Sequence, residues 1–265
     1  MGRGITMVYG RPSQRALIVI SLLFAIGAAA TIMGCESMSA MREMQMPGGW
    51  TMSMTWMPMP QQTWLGAAVA FSLMWIAMMI AMMLPSFAPV LLRYRQAIAL
   101  TGEMHPRRLT GLMGLGYFFV WSVLGMAAFP LGAALAAIEM AVPPLARAVP
   151  VAVGGVVLIA GALQFTAWKA RQLACCRAAG HGHRWPMPGE AWEYGVRLGI
   201  RCCYCCAGPT AILFVCGIMN LRAMAAVTAI ITVERLAPAG ERVARAVGAV
   251  VIGVGLFLIV RAAAL

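Results

Sequence analysis

The chain has 265 residues, of which 62% are hydrophobic and 11% charged, with a mean hydropathy of +0.84 and a net charge of +12. Soluble globular domains carry about a quarter charged residues, so this composition excludes one. The basic residues lie between apolar runs rather than along one stripe, and without a recognition motif they exclude a nucleic-acid-binding module.

Runs of roughly 20 apolar residues cross a ~30 Å hydrocarbon core as helix. Seven such runs are read at 16–33, 64–86, 110–135, 148–167, 197–219, 221–236 and 247–264; the sixth is short, which leaves six spans as the alternative. The expected fold is all-α, a polytopic helical membrane bundle forming one domain over 1–265. Sixteen Arg and Lys residues fall in segments placed inside, against Arg42, Arg147, Arg222 and Arg261 outside, which sets the N-terminus in the cytoplasm. The expected location is the bacterial inner (cytoplasmic) membrane, with the lipid bilayer as the first partner.

The first run has a basic start and ends on Ile32-Met33-Gly34-Cys35, which resembles a signal peptide with a lipoprotein cleavage site. Its length, and the bulky Met33 before the glycine, favour an uncleaved anchor.

The loop 34–62 then lies outside the cytoplasm. Nine methionines fall between Met33 and Met59, including the pairs Met44-x-Met46, Met52-x-Met54 and Met57-x-Met59. Thioethers are soft ligands that select Cu(I) and similar ions, and they resist disulfide formation in an oxidising compartment. Pro47, Gly48, Gly49, Pro58 and Pro60 argue against a continuous helix here. The competing reading is a flexible loop with methionine as apolar filler.

In the second run Met74, Met78 and Met82 fall within about 80° of arc on a helix, beside Trp75. The stripe descends from the Met-rich loop towards Pro85 and Pro89, which are expected to break or kink the helix. A methionine stripe in a membrane helix also serves packing alone.

Cys202, Cys203, Cys205 and Cys206 open the fifth run. Cys202, Cys205 and Cys206 share about 100° of arc, with Cys216 returning to that face, so three thiolates could meet one soft ion. Arg201 and the helix N-terminus are expected to supply positive charge there. Two overlapping Cys-x-x-Cys pairs leave thiol–disulfide exchange open, and small cysteines can simply pack helices. In the loop 168–196, Cys175, Cys176, His181 and His183 form a looser group that fits no specific zinc spacing. Gln164, Thr166, Glu139, Asn220 and Glu234 are polar residues near span ends, where intramembrane polarity is a functional candidate. No phosphate-binding loop, nucleophile elbow or paired-carboxylate site is present in the sequence, so no enzyme activity is assigned.

Three motifs occur in order: Trp75-x-x-Met78-x-x-Ala81-Met82-Met83-x-Pro85-x-x-x-Pro89, then Gln164-x-Thr166-x-x-Lys169, then Cys202-x-x-Cys205-Cys206 followed by Gly217-x-Met219-Asn220-Leu221 and Glu234-Arg235-x-x-Pro238. As a set, over roughly 64–260, they resemble the family of predicted metal-binding integral membrane proteins, domain of unknown function 2182. The chain departs from that pattern at Ala207, Gln172 and Ala223. The resemblance implies a membrane-embedded metal-binding protein.

The sulfur residues point to copper as Cu(I), with zinc the less favoured ion. Met44, Met46, Met52, Met54, Met57 and Met59 would capture it, Met74, Met78 and Met82 relay it, and Cys202, Cys205 and Cys206 hold it. The expected role is copper transport, delivery or cuproenzyme assembly, with a copper chaperone or membrane cuproenzyme as partner. A membrane thiol-disulfide oxidoreductase and a non-catalytic assembly subunit are the alternatives.

Overall fold

A helix that faces lipid on one side and protein on the other is apolar all round rather than along one stripe. Among the described residues six helices are long and apolar enough to cross a membrane, and they turn large side chains such as Ile26, Leu65, Leu131 and Phe257 outward. The computed structural model describes residues 14–39, 44–47, 49–52, 54–58, 62–100, 105–178 and 190–264. Among them stand α1 (Gln14–Ser39), α2 (Trp64–Leu100), α3 (Pro106–Ala141), α4 (Pro143–Leu163), α5 (Ala167–Ala178), α6 (Ala191–Cys216), α7 (Leu221–Leu236) and α8 (Gly240–Ala263). Between α1 and α2 lies a two-stranded antiparallel ribbon of β1 (Met44–Met46) and β2 (Trp50–Met52), followed by a single 3-10 turn, Met54–Trp56.

The six long helices are α1, α2, α3, α4, α6 and α8. Helix α7 has only 16 residues, about 24 Å at 1.5 Å per residue. It nevertheless runs between the same two ends of the bundle. Its start follows the turn at Met219, which touches Cys35 at the ribbon end of α1, and Glu234 near its finish pairs with Lys169 on α5. These helices account for the seven runs read in the sequence. Helix α5 is an addition: it lies almost wholly in the segment 168–196, where the sequence predicts a loop.

Small residues let the helix backbones approach closely, the usual membrane solution where burying apolar surface gains little. Gly154 and Gly161 on α4 meet Gly248, Gly255 and their neighbours on the antiparallel α8; a β-carbon on Gly161 would stand 2.8 Å from the Ile252 nitrogen. Gly161→Leu should therefore destabilise the bundle by about 1–3 kcal/mol through overpacking. Thermal unfolding in detergent checks this, with Gly155→Ala as a neutral comparison because nothing lies within 4 Å of that position. Helices α3 and α6 run side by side in the same direction through Gly116, Gly195 and Gly199; a β-carbon on Gly199 would stand 2.8 Å from the Tyr117 carbonyl.

The interior is sulfur-rich and aromatic. Met78, Met79, Met83, Trp75, Trp121 and Phe87 are among its fully buried side chains. Trp75 Nε1 donates to the Trp121 carbonyl at 2.8 Å, and Phe87 stacks on Tyr117 with ring centroids 4.0 Å apart. This clamp holds α2 against α3 and fixes Tyr117 next to α6. Helix α2 continues through both Pro85 and Pro89 over its whole length. Of the break or kink expected at these prolines, the break does not occur; neighbours in a bundle can re-satisfy carbonyls that proline frees.

Candidate metal centre

Proline at 209 lies inside α6 and has no N–H to offer the carbonyl four residues earlier, which is that of Cys205. Lys169 from α5 takes that carbonyl instead, with Nζ 2.8 Å away. The same ammonium pairs with Glu234 Oε2 at 2.7 Å, and Gln164 Nε2 donates to the other carboxylate oxygen at 3.0 Å. Burial works against the Lys169 charge, but its acidic neighbours Cys205 and Glu234 outweigh it and raise its pKa. One interruption in a helix thus recruits three polar residues, from the C-terminal cap of α4 and from α5 and α7, to the level of the cysteines.

Cys202, Cys205 and Cys206 are all essentially inaccessible. Cys202 Sγ lies 3.8 Å from Cys206 Sγ. It accepts from the Tyr117 hydroxyl at 2.9 Å and from Arg235 Nη1 at 3.2 Å. The same Arg235 nitrogen donates to Ser86 Oγ at 3.0 Å, while Nη2 has no acceptor among the described residues. Cys205 lies between Cys176 of α5 and Cys206, with a thiol contact to each. The first of these contacts and burial push the Cys176 pKa well above the usual thiol range, so Cys176 remains a donor; its sulfur also lies 3.4 Å from the Arg201 carbonyl.

The thiols therefore form a file, Cys176–Cys205–Cys206–Cys202, with one close pair at its far end. Among the described residues no group of three or more His, Cys, Asp or Glu side chains closes into a ready-made ion site. The cysteines sit three turns into α6 rather than at its N-terminus, beyond the reach of the terminal dipole. Arg201 is exposed, and Arg235 of α7 supplies the positive charge in its place. Cys203 is half-buried and Cys216 exposed, so neither joins the file. Cys202 and Cys206 stand four residues apart, not at a Cys-x-x-Cys spacing.

The buried charged residues among those described are Lys169, Glu234 and Arg235. Their formal sum is +1.

The methionine stripe approaches this pair. Met78 and Met82 are buried and Met74 half-buried. Met82 lies one helical turn, about 6 Å, before Ser86, which shares the Arg235 guanidinium with Cys202. Within the ribbon, Met44 is paired with Met52 and Met46 with Trp50. Alternation along a strand puts all four on one face. Met46 and Met52 are buried with Ala136 and Ala146, and Trp50 Nε1 anchors the ribbon to the Ala146 carbonyl at 2.8 Å. Met57 lines a cavity of about 390 Å³ together with Met74, Gly34 and Phe71. Met54 stands in the 3-10 turn. Met59, His181 and His183 lie outside the described residues.

Sequence reasoning did not assign Tyr117, Ser86, Arg235 or Cys176 to the centre. Arg235 and Cys176 were visible, one as the neighbour of Glu234 in a motif and the other as half of a cysteine doublet. Tyr117 and Ser86 carry no local signal; only the packing of α3 and α2 against α6 and α7 brings them in.

No curated protein and no solved structure matches the chain. A family model described as PpoB2 copper chaperone matches residues 72–258, which takes in α3 to α7 and most of α2 and α8. With a match over well more than half of its length, this multi-pass helical protein belongs to the PpoB2 copper chaperone family.

Proposed function

We propose that the protein binds Cu(I) through methionine and cysteine sulfur and passes it through the bundle for delivery to a cuproenzyme. The supporting observation is the Cys202–Cys206 pair with its Arg235 partner. Two thiolates on one Cu(I) carry a net charge of −1, which matches the +1 of Lys169, Glu234 and Arg235. A buried anion without such a partner would be strongly disfavoured. Soft sulfur donors select Cu(I) over hard cations, and loading releases the two thiol protons, so it weakens as pH falls.

The thioethers precede the thiolates along the path. Neutral Met ligands at the ribbon end bind weakly enough to release, and Met74, Met78 and Met82 step down α2 towards the tighter pair. In the orientation set by the arginines, capture is extracytoplasmic and holding is on the cytoplasmic side.

Copper content of the anaerobically purified full chain, determined by mass spectrometry, tests this. Copper should co-purify with the wild type. Leucine at Met44, Met46, Met52, Met54, Met57 and Met59 should slow loading while leaving the final content unchanged. Absence of copper from protein reconstituted with Cu(I) under reducing conditions would sink the reading. Tyr117→Phe removes a donor to Cys202 with little change in volume and should weaken Cu(I) retention about 10–100-fold, the usual cost of losing an outer-shell partner. Competition with a Cu(I) chelator measures it.

A further inference from the structure

A second sulfur contact lies at the ribbon end of the bundle, far from the thiol file. Cys35 Sγ of α1 lies 3.9 Å from Met219 Sδ, across 184 residues of sequence. Cys35 is 3% exposed although it stands near the end of its helix. Met219 is held in a tight turn, where Gly217 takes a φ of +96°, the Asn220 N–H returns to the Gly217 carbonyl at 3.1 Å, and the Asn220 side chain caps α7 through the Arg222 and Ala223 N–H groups. A methionine used as adaptable filler does not need a turn this constrained. The Met74 sulfur rests against Gly34, 3.4 Å from where a β-carbon would stand, and Met74 and Gly34 both line the cavity that Met57 faces.

We infer that Cys35 and Met219 form a second binding site for a soft monovalent cation, next to the cavity that Gly34, Met57 and Met74 line, where the Met-rich segment hands its ion to the transmembrane stripe. The charge arithmetic differs from that of the inner pair. One thiolate and a neutral thioether around a monovalent ion sum to zero, and none of the buried charged residues among those described is at this end; Lys169, Glu234 and Arg235 all lie beside the thiol file. On binding, the Cys35 S–H bond breaks, the proton goes to solvent and a sulfur–metal bond forms, with no change of oxidation state. An ion then descends from a one-thiolate site to a two-thiolate site. Cys35 lies outside the matched residues 72–258, so α1 contributes a ligand that the matched region lacks. The hand-over role rests on the copper-carrying reading above; the existence of the site does not.

The test uses the full chain in detergent, titrated anaerobically with Ag(I) as a redox-inert soft probe. Bound silver is counted after gel filtration, and Cys35 alkylation is followed by peptide mass spectrometry. Cys35→Ala should lower the count by one ion. The near-isosteric Met219→Leu should weaken retention at that site about tenfold or more, and Ag(I) should shield Cys35 from alkylation in the wild type. The same results are expected in a Cys202→Ser/Cys206→Ser background, which separates the two sites. Loss of silver with the inner pair alone, with Cys35 alkylated equally with and without Ag(I), overturns this inference and leaves the inner centre standing. Loss with Cys35 alone does the reverse.

Discussion

If the proposed Cys202–Cys206 pair holds Cu(I), replacing both by serine is expected to lower the copper retained after chelator challenge by one ion per chain. The argument is one of ligand type and charge. Serine keeps the volume close to that of cysteine, so the α3–α6 packing at Gly116, Gly195 and Gly199 is undisturbed, but a hydroxyl stays protonated and hard where a thiolate is charged and soft. Cys205→Ser should do less, because its sulfur is shared between Cys176 and Cys206 while Cys202 and Cys206 face each other at 3.8 Å. Cys203→Ser should do nothing measurable, since that side chain is outside the file. The order expected in a chelator competition is therefore the 202/206 double variant, either of its singles, then Cys205→Ser, then Cys203→Ser. A reading in which three equal thiolates share one ion requires Cys205→Ser to match Cys202→Ser, and a packing role requires all four to bind copper as the wild type does.

Length and apolarity made the bundle legible from the sequence, because a membrane solvent imposes long, uninterrupted apolar helices. Helix α5 was missed for the same reason: it has only 12 residues, with Lys169, Arg171 and Arg177 among them, and hydropathy says nothing of such a segment. The sulfur clusters were equally plain, but their division of labour was not. Met46 and Met52 share one strand-face pattern with Met44, yet they are buried with Ala136 and Ala146 and anchor the ribbon. Helical arc alone put Cys205 with Cys202 and Cys206; it gave no sign that a thiol on another helix, Cys176, also contacts it. The charge at the centre comes from Arg235, 33 residues away from Cys202, rather than from the adjacent Arg201. Local periodicity identifies which face a residue occupies; what stands opposite that face is decided by the packing of α3, α5 and α7.

The buried ion pair should separate stability from copper binding. Lys169→Met leaves Glu234 uncompensated and the Cys205 carbonyl without its donor, since Pro209 cannot supply one. Breaking a buried pair from one side costs about 3–5 kcal/mol, so a large fall in the thermal midpoint in detergent is expected. Glu234→Gln should also destabilise, by a similar mechanism with the ammonium left unpaired. On copper the two should act in opposite directions. Lys169→Met lowers the formal buried sum from +1 to 0 and removes the match to an anionic bis-thiolate, so retention should drop. Glu234→Gln raises the sum to +2 and should preserve or strengthen retention in whatever fraction remains folded. The double variant Lys169→Met/Glu234→Leu restores +1 through Arg235 alone. It should recover copper retention, and part of the stability, because replacing both partners of a buried pair by apolar groups is far less costly than removing one. Parallel thermal unfolding and chelator competition on these three variants check the scheme. If copper retention simply follows thermal stability across them, the pair holds α5 and α7 against α6 and contributes no electrostatic match to the ion.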